Sequence, residues 1–231
     1  MSLVRETNTT DLSCPSLPQR ARISGIILDQ LNGAGLIWRV FQREQAVKFN
    51  NRKNELVQTV DGRELWISRS VAVAVSILLV HEEQPYVLIN QRGPGLPDGH
   101  GLWNLPCGYL DFDESTQEAA LREVWEECGV NLLPLIEDAH FTFFDKPWDV
   151  SSRPNHGKQN VTIHHGLVAN VLELPPVTDA HNEPDETLDI RWTPLQDITQ
   201  LEFAFNHEQR IRDFVEHIAA LGDQRFTQFF R

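Results

Sequence analysis

The chain is poor in cysteine, in methionine and in basic residues. Its 231 residues include 3 Cys, 1 Met and 20 Lys and Arg against 33 Asp and Glu, which gives a formal net charge of −13. So acidic a protein does not attract bulk nucleic acid or anionic lipid, and neither is an expected partner. Three cysteines without CxxC spacing form neither a disulfide framework nor a zinc site, so Cys14, Cys107 and Cys128 are predicted to be free thiols in a reducing compartment.

Long hydrophobic runs are also missing. No stretch approaches the roughly 18 consecutive apolar residues of a membrane-spanning helix, and the N-terminus lacks the apolar core of a signal peptide. We therefore expect a cytoplasmic protein. Hydrophobic residues still make up 41% of the chain, which is enough for one large domain or for a domain with an extension.

The most informative segment is 108–130, which predicts an amphipathic helix. Ser115 and Glu118 have the spacing of a capping box at the helix start, and Gly129 follows the last turn, where a left-handed stop is favoured. An apolar stripe at helical spacing is expected to face the core: Leu121, Val124, Trp125 and Cys128.

Three carboxylates lie roughly opposite that stripe. Glu123, Glu126 and Glu127 are spaced i, i+3 and i+4 and share one face of the helix. Like charges so close destabilise an isolated helix, so a hard divalent cation with oxygen ligands is expected to hold them together. The alternative is a solvated acidic helix. Such a helix would alternate charge signs, yet Arg122 is the one base in the second half of the segment.

The segment resembles the Nudix box, Gly-x5-Glu-x7-Arg-Glu-U-x-Glu-Glu-x-Gly-U, in which U is a bulky aliphatic residue. Every specified position fits: Gly108, Glu114, Arg122, Glu123, Val124, Glu126, Glu127, Gly129 and Val130. The sequences YVLINQR at 86–92 and WNLP at 103–106 resemble the flanks of the box, and the resemblance covers roughly residues 71–200. One departure is Cys107, where the family usually has a second glycine.

The resemblance implies an α/β (α+β) fold, an α/β/α sandwich with a mixed sheet. In agreement, the valine-rich run 71–80 predicts a buried strand, and 161–172 predicts another long strand. Apolar residues at 211, 214, 215, 218 and 221 predict a C-terminal helix. We expect a flexible tail at 1–20, a β-rich extension at 21–70, and a hydrolase domain at 71–231 that includes this helix.

The extension at 21–70 carries its own strand signals. Residues 55–60 and 63–68 flank Asp61-Gly62 and predict a hairpin, while 23–28 and 36–41 are further strand candidates. Strands with uncovered edges can pair with other chains and cause aggregation. We therefore expect either the core of the same chain or a second chain to cover them. We favour a homodimer, because two-fold association is the commonest arrangement.

The resemblance also assigns the metal ligands and the groups that support them. Glu123, Glu126 and Glu127 would hold the ion, helped by the Gly108 carbonyl. Mg2+ is the expected cofactor, with Mn2+ as the alternative. Arg122 and Glu114 would form an ion pair that orients the ligand helix. Glu114 has a second interpretation as an acid favoured at a helix start by the helix dipole.

A general base is a separate requirement. In the family it often comes from the box or from a later loop glutamate. Here the later candidates are Glu183 and Glu186 in the sequence NEPDE, with Glu186 slightly favoured because it is nearer the Trp192 strand. Both have the alternative interpretation of loop acids that face solvent.

Substrate contacts are predicted from aromatic and basic residues that border the expected cleft. Trp103, Phe144 and Trp148 are candidates for stacking on a base, although core packing is the better interpretation for Trp103. Arg92, at a strand end, could contact phosphate or could be a surface charge. The histidines match no zinc pattern. His156, His164 and His165 are expected to be structural, with weak substrate contacts as the alternative, and His207 is expected to be a cap or packing residue.

The leading interpretation is a metal-dependent hydrolase that cleaves a pyrophosphate bond in a nucleoside diphosphate linked to another moiety, with a small-molecule nucleotide as its substrate. The segment 144–166 resembles members that act on ADP-ribose and related sugar nucleotides. Nucleoside triphosphates and RNA caps are alternative substrates. A ligand-sensing regulator on the same fold is the alternative from another class, but such relatives tend to lose box carboxylates, and this box is intact.

Overall fold

The computed structural model describes residues 22–23, 26–27, 54–153, 159–183 and 185–226. The chain divides into two compact units, 1–53 and 54–231. In the first unit, strands β1 (Arg22–Ile23) and β2 (Ile26–Ile27) pair antiparallel. The strand predicted at 36–41, Cys14 and His156 lie outside the described residues, and the domain boundaries at 20 and 70 stay predictions.

The second unit contains the elements that carry the box. In chain order its strands and helices are β3 (Glu55–Gln58), β4 (Glu64–Ile67), β5 (Val71–His81), β6 (Gln84–Arg92), β7 (Trp103–Asn104), β8 (Cys107–Tyr109), α1 (Thr116–Cys128), α2 (Leu133–Glu137), β9 (Phe141–Thr142), β10 (Asp149–Ser151), β11 (Val161–Asn170), β12 (Thr187–Pro194), a 3-10 helix (Leu195–Gln200) and α3 (His207–Ala220). Among the residues described, no helix is both long enough and apolar enough to cross a membrane.

The centre of this unit is a mixed sheet in the order β10-β11-β5-β6-β12, with β7 paired to β6, β8 to β5 and β9 to β11. The pair β5–β11 is parallel, and the other pairs in the sheet are antiparallel. Strand β5 is a continuous apolar run whose centre, from Val73 to Leu79, is buried. Such a run is typical of a strand that is covered on both faces. The buried strand predicted from the sequence is therefore confirmed.

One helix covers each face of the sheet, so the predicted α/β/α sandwich is confirmed. On one face, Phe214 and Ile218 of α3 pack in a cluster with Leu78. On the other face, Val124 and Cys128 of α1 pack in a cluster with strand residues. The β5 residues of this second cluster are Val75, Ile77 and Leu79. Because side chains alternate along a strand, β5 supplies apolar groups to both clusters.

Helix α3 buries most of the predicted stripe. Its fully buried apolar residues are Ile211, Phe214, Val215 and Ile218. Leu221 does not belong to the buried stripe, because it lies just beyond the helix and is 52% exposed.

Helix α1 begins and ends as predicted. Ser115 and Glu118 form both hydrogen bonds of the capping box, and Gly129 adopts the left-handed conformation with φ of 68°. The prediction that Trp125 belongs to the buried stripe was wrong. Its side chain is 44% exposed, and its ring stacks on His181. The buried face of α1 is therefore centred on its small residues: Ala119, Ala120, Val124 and Cys128.

The hairpin predicted in the extension is present. Strands β3 and β4 pair from Glu55↔Ile67 to Gln58↔Glu64 and form a two-stranded sheet of their own. Most of its apolar side chains are exposed, with Leu56 50% and Trp66 66% exposed, whereas Val57 is half-buried. An isolated hairpin is at best marginally stable in water.

Candidate active site

Arg122 links the loop before α1 to the acidic face of the helix. Its Nε–H and one Nη2–H donate to the two oxygens of Glu114 at 3.0 and 2.7 Å, which forms the predicted ion pair. Its Nη1 donates to Glu123 and Glu126 at 2.8 and 2.9 Å, and Nη2 also donates to the Tyr109 carbonyl at 3.0 Å. One guanidinium thus fixes three carboxylates and the end of β8.

Glu114 is held from two sides. Its Oε1 accepts the Arg122 guanidinium and also the Asp111 N–H, at 2.8 Å. The Arg122 hydrogen bonds are the main reason why the pKa of this carboxyl lies below its ordinary value. Glu114 therefore carries a negative charge that holds the Arg122 guanidinium, which also donates to Glu123 and Glu126.

Gly108 allows Glu123 to approach the backbone of β8. A Cβ added at position 108 would overlap the Glu123 carboxylate, so the absence of a side chain at residue 108 leaves room for this carboxylate where it lies. Glu123 is only 7% exposed. Burial raises its pKa to about 7, although the neighbouring Arg122 acts in the opposite direction.

Glu127 is the second carboxylate beside β8, and it is partly buried. Its Oε2 accepts the Cys107 N–H at 3.0 Å. Burial raises the pKa of this group well above its ordinary value, and the charges of Glu123 and Glu186 raise it further. Cys107 takes part through its backbone and keeps its place in β8, opposite Ala74, so the exchange of glycine for cysteine leaves this strand pairing intact.

Burial also raises the pKa of the Cys107 thiol, and the nearby charge of Glu127 adds to the effect. The Asn104 amide donates a hydrogen bond to this thiol at 3.5 Å. Cys107 is therefore a neutral thiol beside the acidic face of α1. The Cys128 thiol is buried in the core, where burial likewise raises its pKa, and both cysteines are free as predicted.

The side chain of Glu126 is 47% exposed, and its carboxylate pairs with Arg122. Within the described part of the chain, no three acids, histidines or cysteines are already arranged as a cation site. The donor chemistry nevertheless fits a hard divalent ion. Two carboxylates with raised pKa values, the buried Glu123 and the partly buried Glu127, would be stabilised in their charged form by a cation with a preference for oxygen.

Asp185 and Glu186 are held against the loop that follows β6. The Gly93 N–H donates to the Glu186 carbonyl at 2.7 Å, and the Gly95 N–H donates to the Asp185 carbonyl at 2.8 Å. The Glu186 carboxylate is close enough to Glu127 to raise its pKa. Of the two base candidates, Glu186 is therefore the one that the contacts bring to the box, whereas Glu183 is exposed.

Arg92, which was predicted to contact phosphate, is bound to other groups of the protein. Arg92 is 6% exposed. Its guanidinium donates to the Asp98 carbonyl at 3.1 Å and to the Asp98 carboxylate at 3.2 Å, and it lies 4.6 Å from the centre of the Phe205 ring. In this arrangement it stabilises the 93–101 loop, and its contact with phosphate stays a prediction.

The predicted stacking residues are mostly interior. Trp103 is 7% exposed and Phe144 is 2% exposed, so both rings belong to the core clusters. Trp148 is half-buried, with its ring centre 5.2 Å from that of Phe214. A role for these three rings in binding a base stays a prediction, and their burial favours packing.

Tyr109 is an aromatic residue of the site that sequence reasoning missed. It directly follows Gly108 in β8, is 57% exposed, and its hydroxyl accepts a hydrogen bond from the Asn160 amide at 3.2 Å. The signal for it was an aromatic side chain next to the glycine that begins the box. That signal is weak, because sequence does not show which rings the fold leaves open.

The described histidines have structural partners. His164 contacts the Ser151 hydroxyl at 2.9 Å, and the Nδ1 of His165 lies 3.0 Å from the Phe143 carbonyl. His207 begins α3, and its Nδ1 accepts the Leu105 N–H at 3.0 Å. Burial lowers the pKa of His164 to about 4 and that of His207 to about 3. Both are therefore neutral at physiological pH.

The family model described as NUDIX domain matches residues 70–217. Among curated proteins, the chain is similar to the phosphatase NudJ of Escherichia coli strain K12, with 39% identity over 56 residues, which cover 24% of this chain and 34% of that protein. The chain thus spans about a third of the length of the curated relatives it matches.

Solved structures show the same fold at lower identity. The NUDIX domain of Shewanella oneidensis NrtR, complexed with ADP ribose, matches with a TM-score of 0.51 and 22% identity over 65% of this chain and 89% of that one. A bifunctional NMN adenylyltransferase/ADP ribose pyrophosphatase of Francisella tularensis, complexed with AMP and a manganese ion, matches with a TM-score of 0.52 and 24% identity over 64% of this chain and 41% of that one. These likenesses support the three-layer architecture.

Proposed function

This chain belongs to the Nudix family, and we propose that it is a metal-dependent pyrophosphohydrolase. The substrate would be a nucleoside diphosphate linked to another moiety. Water would attack one phosphorus, the bond from that phosphorus to the bridging oxygen would break, and two phosphate monoesters would leave with the released protons. A hydrolytic reaction of this kind needs charge neutralisation on phosphate and a proton acceptor for water.

The observation that carries this proposal is the carboxylate pair beside β8, of which Glu123 is buried and Glu127 is partly buried. Glu123 touches the Gly108 backbone, and Glu127 accepts the Cys107 N–H. With Glu126 and the Gly108 carbonyl, they are the proposed ligands of Mg2+, with Mn2+ as the alternative. A bound divalent ion supplies charge neutralisation on phosphate oxygens and a lowered pKa for water.

The other box residues would hold these ligands in position. The Arg122–Glu114 pair keeps α1 against the loop that precedes it, and Arg122 keeps Glu126 on the same face as Glu123. Glu186 is the proposed general base because of its proximity to Glu127, with Glu183 as the second candidate. Its task would be to accept the proton of the attacking water.

ADP-ribose and related sugar nucleotides are the proposed substrates. The Shewanella domain is described as complexed with ADP ribose, and the Francisella protein is named an ADP ribose pyrophosphatase, so this compound is the first to test. Nucleoside triphosphates and RNA caps are the alternatives. A ligand-sensing regulator is the non-enzyme alternative, and the NrtR domain described as complexed with ADP ribose is an example of ligand binding by this fold.

The test is a screen of these compounds with Mg2+ or Mn2+, with the products separated by chromatography. We expect ADP-ribose to give AMP and ribose 5-phosphate, and Glu127→Gln to abolish most of this turnover. Glu216→Gln is the matched control, because Glu216 is exposed on α3. Binding of ADP-ribose without turnover of any compound would overturn the enzyme and favour the regulator.

A cytoplasmic homodimer is part of the proposal. The exposed apolar side chains of the β3–β4 hairpin support it, since a second copy would cover strands that water alone does not stabilise. Light scattering on the full chain and on a variant without residues 1–70 measures the size of each. A monomeric full chain would contradict the dimer and leave the hydrolase proposal intact.

A further inference from the structure

The segment between β11 and β12 closes the C-terminal end of helix α1. The last four carbonyls of a helix have no partner inside the helix. Here the Gly129 N–H donates to the Trp125 carbonyl at 2.9 Å, and the Thr178 N–H donates to the Cys128 carbonyl at 3.0 Å. Two backbone carbonyls remain, those of Glu126 and Glu127. The side-chain carboxylates of the same two residues are proposed metal ligands.

Asn182 satisfies these two carbonyls. With its amide oriented by its neighbours, the NH2 group donates to the Glu127 carbonyl at 3.2 Å and to the Glu126 carbonyl. The amide oxygen accepts the Thr187 hydroxyl at 2.9 Å. One side chain therefore joins the end of the ligand helix to the start of β12. The last turn of α1 has no basic residue that could do this instead.

The neighbouring side chain adds a second connection. The His181 ring stacks on Trp125, with ring centres 4.3 Å apart and planes inclined by 23°. Trp125 points away from the core, so this contact uses a face of α1 that does not pack on the sheet. Stacked aromatic pairs contribute beyond the area they bury, and this one lies one residue from the Asn182 amide.

The acidic segment begins directly after Asn182. It ends at Asp185 and Glu186, whose carbonyls accept the Gly95 and Gly93 N–H groups. The segment is thus attached to α1 at one side and to the loop after β6 at the other. This attachment brings the Glu186 carboxylate near Glu127.

We propose that Asn182, assisted by the His181–Trp125 stack, is a positioning residue that sets the distance between Glu186 and the carboxylates of α1. The inference rests on the proposed function, because it assigns Asn182 an effect on hydrolysis through Glu186. A merely structural role would be different: loss of a helix cap would lower stability and affect every catalytic group alike.

The first experiment is a double-mutant cycle between Asn182→Ala and Glu186→Gln. In the wild-type background, Asn182→Ala should lower kcat by about 10-fold, as for lost outer-shell support, with KM changed by less than about twofold. In the Glu186→Gln background the same substitution should have almost no further effect, because residues that act as a unit are not additive. Asn170→Ala is the matched control, because Asn170 is an exposed asparagine at the end of β11.

The stack is tested in the same assay. Trp125→Phe keeps an aromatic face for His181 and should retain near-wild-type kcat, whereas Trp125→Ala should lower kcat in the same direction as Asn182→Ala. Equal losses for Asn182→Ala with and without Glu186, or an unchanged kcat for Asn182→Ala or Glu186→Gln, would overturn the proposal.

A second measurement does not depend on turnover. Amide hydrogen exchange should become faster at 180–187 in Asn182→Ala than in the wild type, while strands β5 and β11 keep their protection. Unchanged exchange at 180–187 would overturn the attachment itself. A wild type that hydrolyses no tested compound would defeat the proposed function, and exchange would then still decide whether Asn182 holds this segment.

Discussion

The carboxylate of Glu123 lies directly against the backbone of Gly108, where even a methyl group would overlap it. This contact joins helix α1 to strand β8. The box glycine is thus explained by space, because a larger residue would push the Glu123 carboxylate out of this position.

Gly108→Ala should therefore reduce hydrolysis about 100-fold and lower the free energy of unfolding by about 1–3 kcal/mol, the usual range for overpacking. Thermal melts and initial rates measure the two effects. Gly62→Ala is the control. Its Cβ meets nothing within 4 Å, but its φ of 86° is unfavourable for alanine. It should lose stability and keep full activity, and the same result for Gly108→Ala would show that the contact with Glu123 is not needed.

Glu127→Gln and Glu126→Gln should each lower hydrolysis by about 100-fold or more at saturating Mg2+. The free energy of unfolding should not fall for Glu127→Gln, because burial already disfavours the charged form of this carboxyl. Rates and denaturant melts for both variants are compared with those of Glu216→Gln. Activity within a few-fold of wild type in both would show that the ligand assignment is wrong.

Arg122→Ala should reduce activity by about 10- to 100-fold and weaken the apparent affinity for Mg2+. The reason is that Glu114, Glu123 and Glu126 lose the guanidinium that fixes them. A metal titration of the rate gives both quantities. Arg212→Ala, which breaks a pair with Glu208 on α3, should behave like the wild type. An unchanged Mg2+ titration of the rate for Arg122→Ala would show that Arg122 is only a surface charge.

The buried His207 side chain is expected to make the folded protein less stable in acid. Burial lowers its pKa from 6.5 to about 3 in the folded protein, so the unfolded chain binds more protons between these two values. The stabilisation is complete above pH 6.5 and is lost as the pH falls toward 3. Between pH 7.5 and 5 this group should lower the free energy of unfolding by about 2 kcal/mol.

His207→Asn removes this titration and keeps an acceptor for the Leu105 N–H. Denaturant melts at the two pH values should show a smaller acid loss in the variant than in the wild type. Part of the loss should persist, because burial also lowers the pKa of His164 to about 4. Parallel pH profiles for the two proteins would contradict the assignment.

The sequence by itself determined the features that depend on neighbours along the chain. The capping box of Ser115 and Glu118, the stop at Gly129 and the shared face of the three glutamates follow from helical periodicity. The buried strand β5 follows from an apolar run with no polar alternation. These local signals were sufficient for the box, its helix and the class of the fold.

Only the tertiary structure decided what depends on residues far apart in sequence. Trp125 has helical spacing that suits the core, yet small residues of α1 meet the sheet and Trp125 stacks on His181 instead. Glu123 is buried while Glu126 and Glu127 are only partly buried, because β8 covers only part of the acidic face. Periodicity fixes the direction of a side chain around its own helix, but burial depends on which distant segment of the chain lies against it.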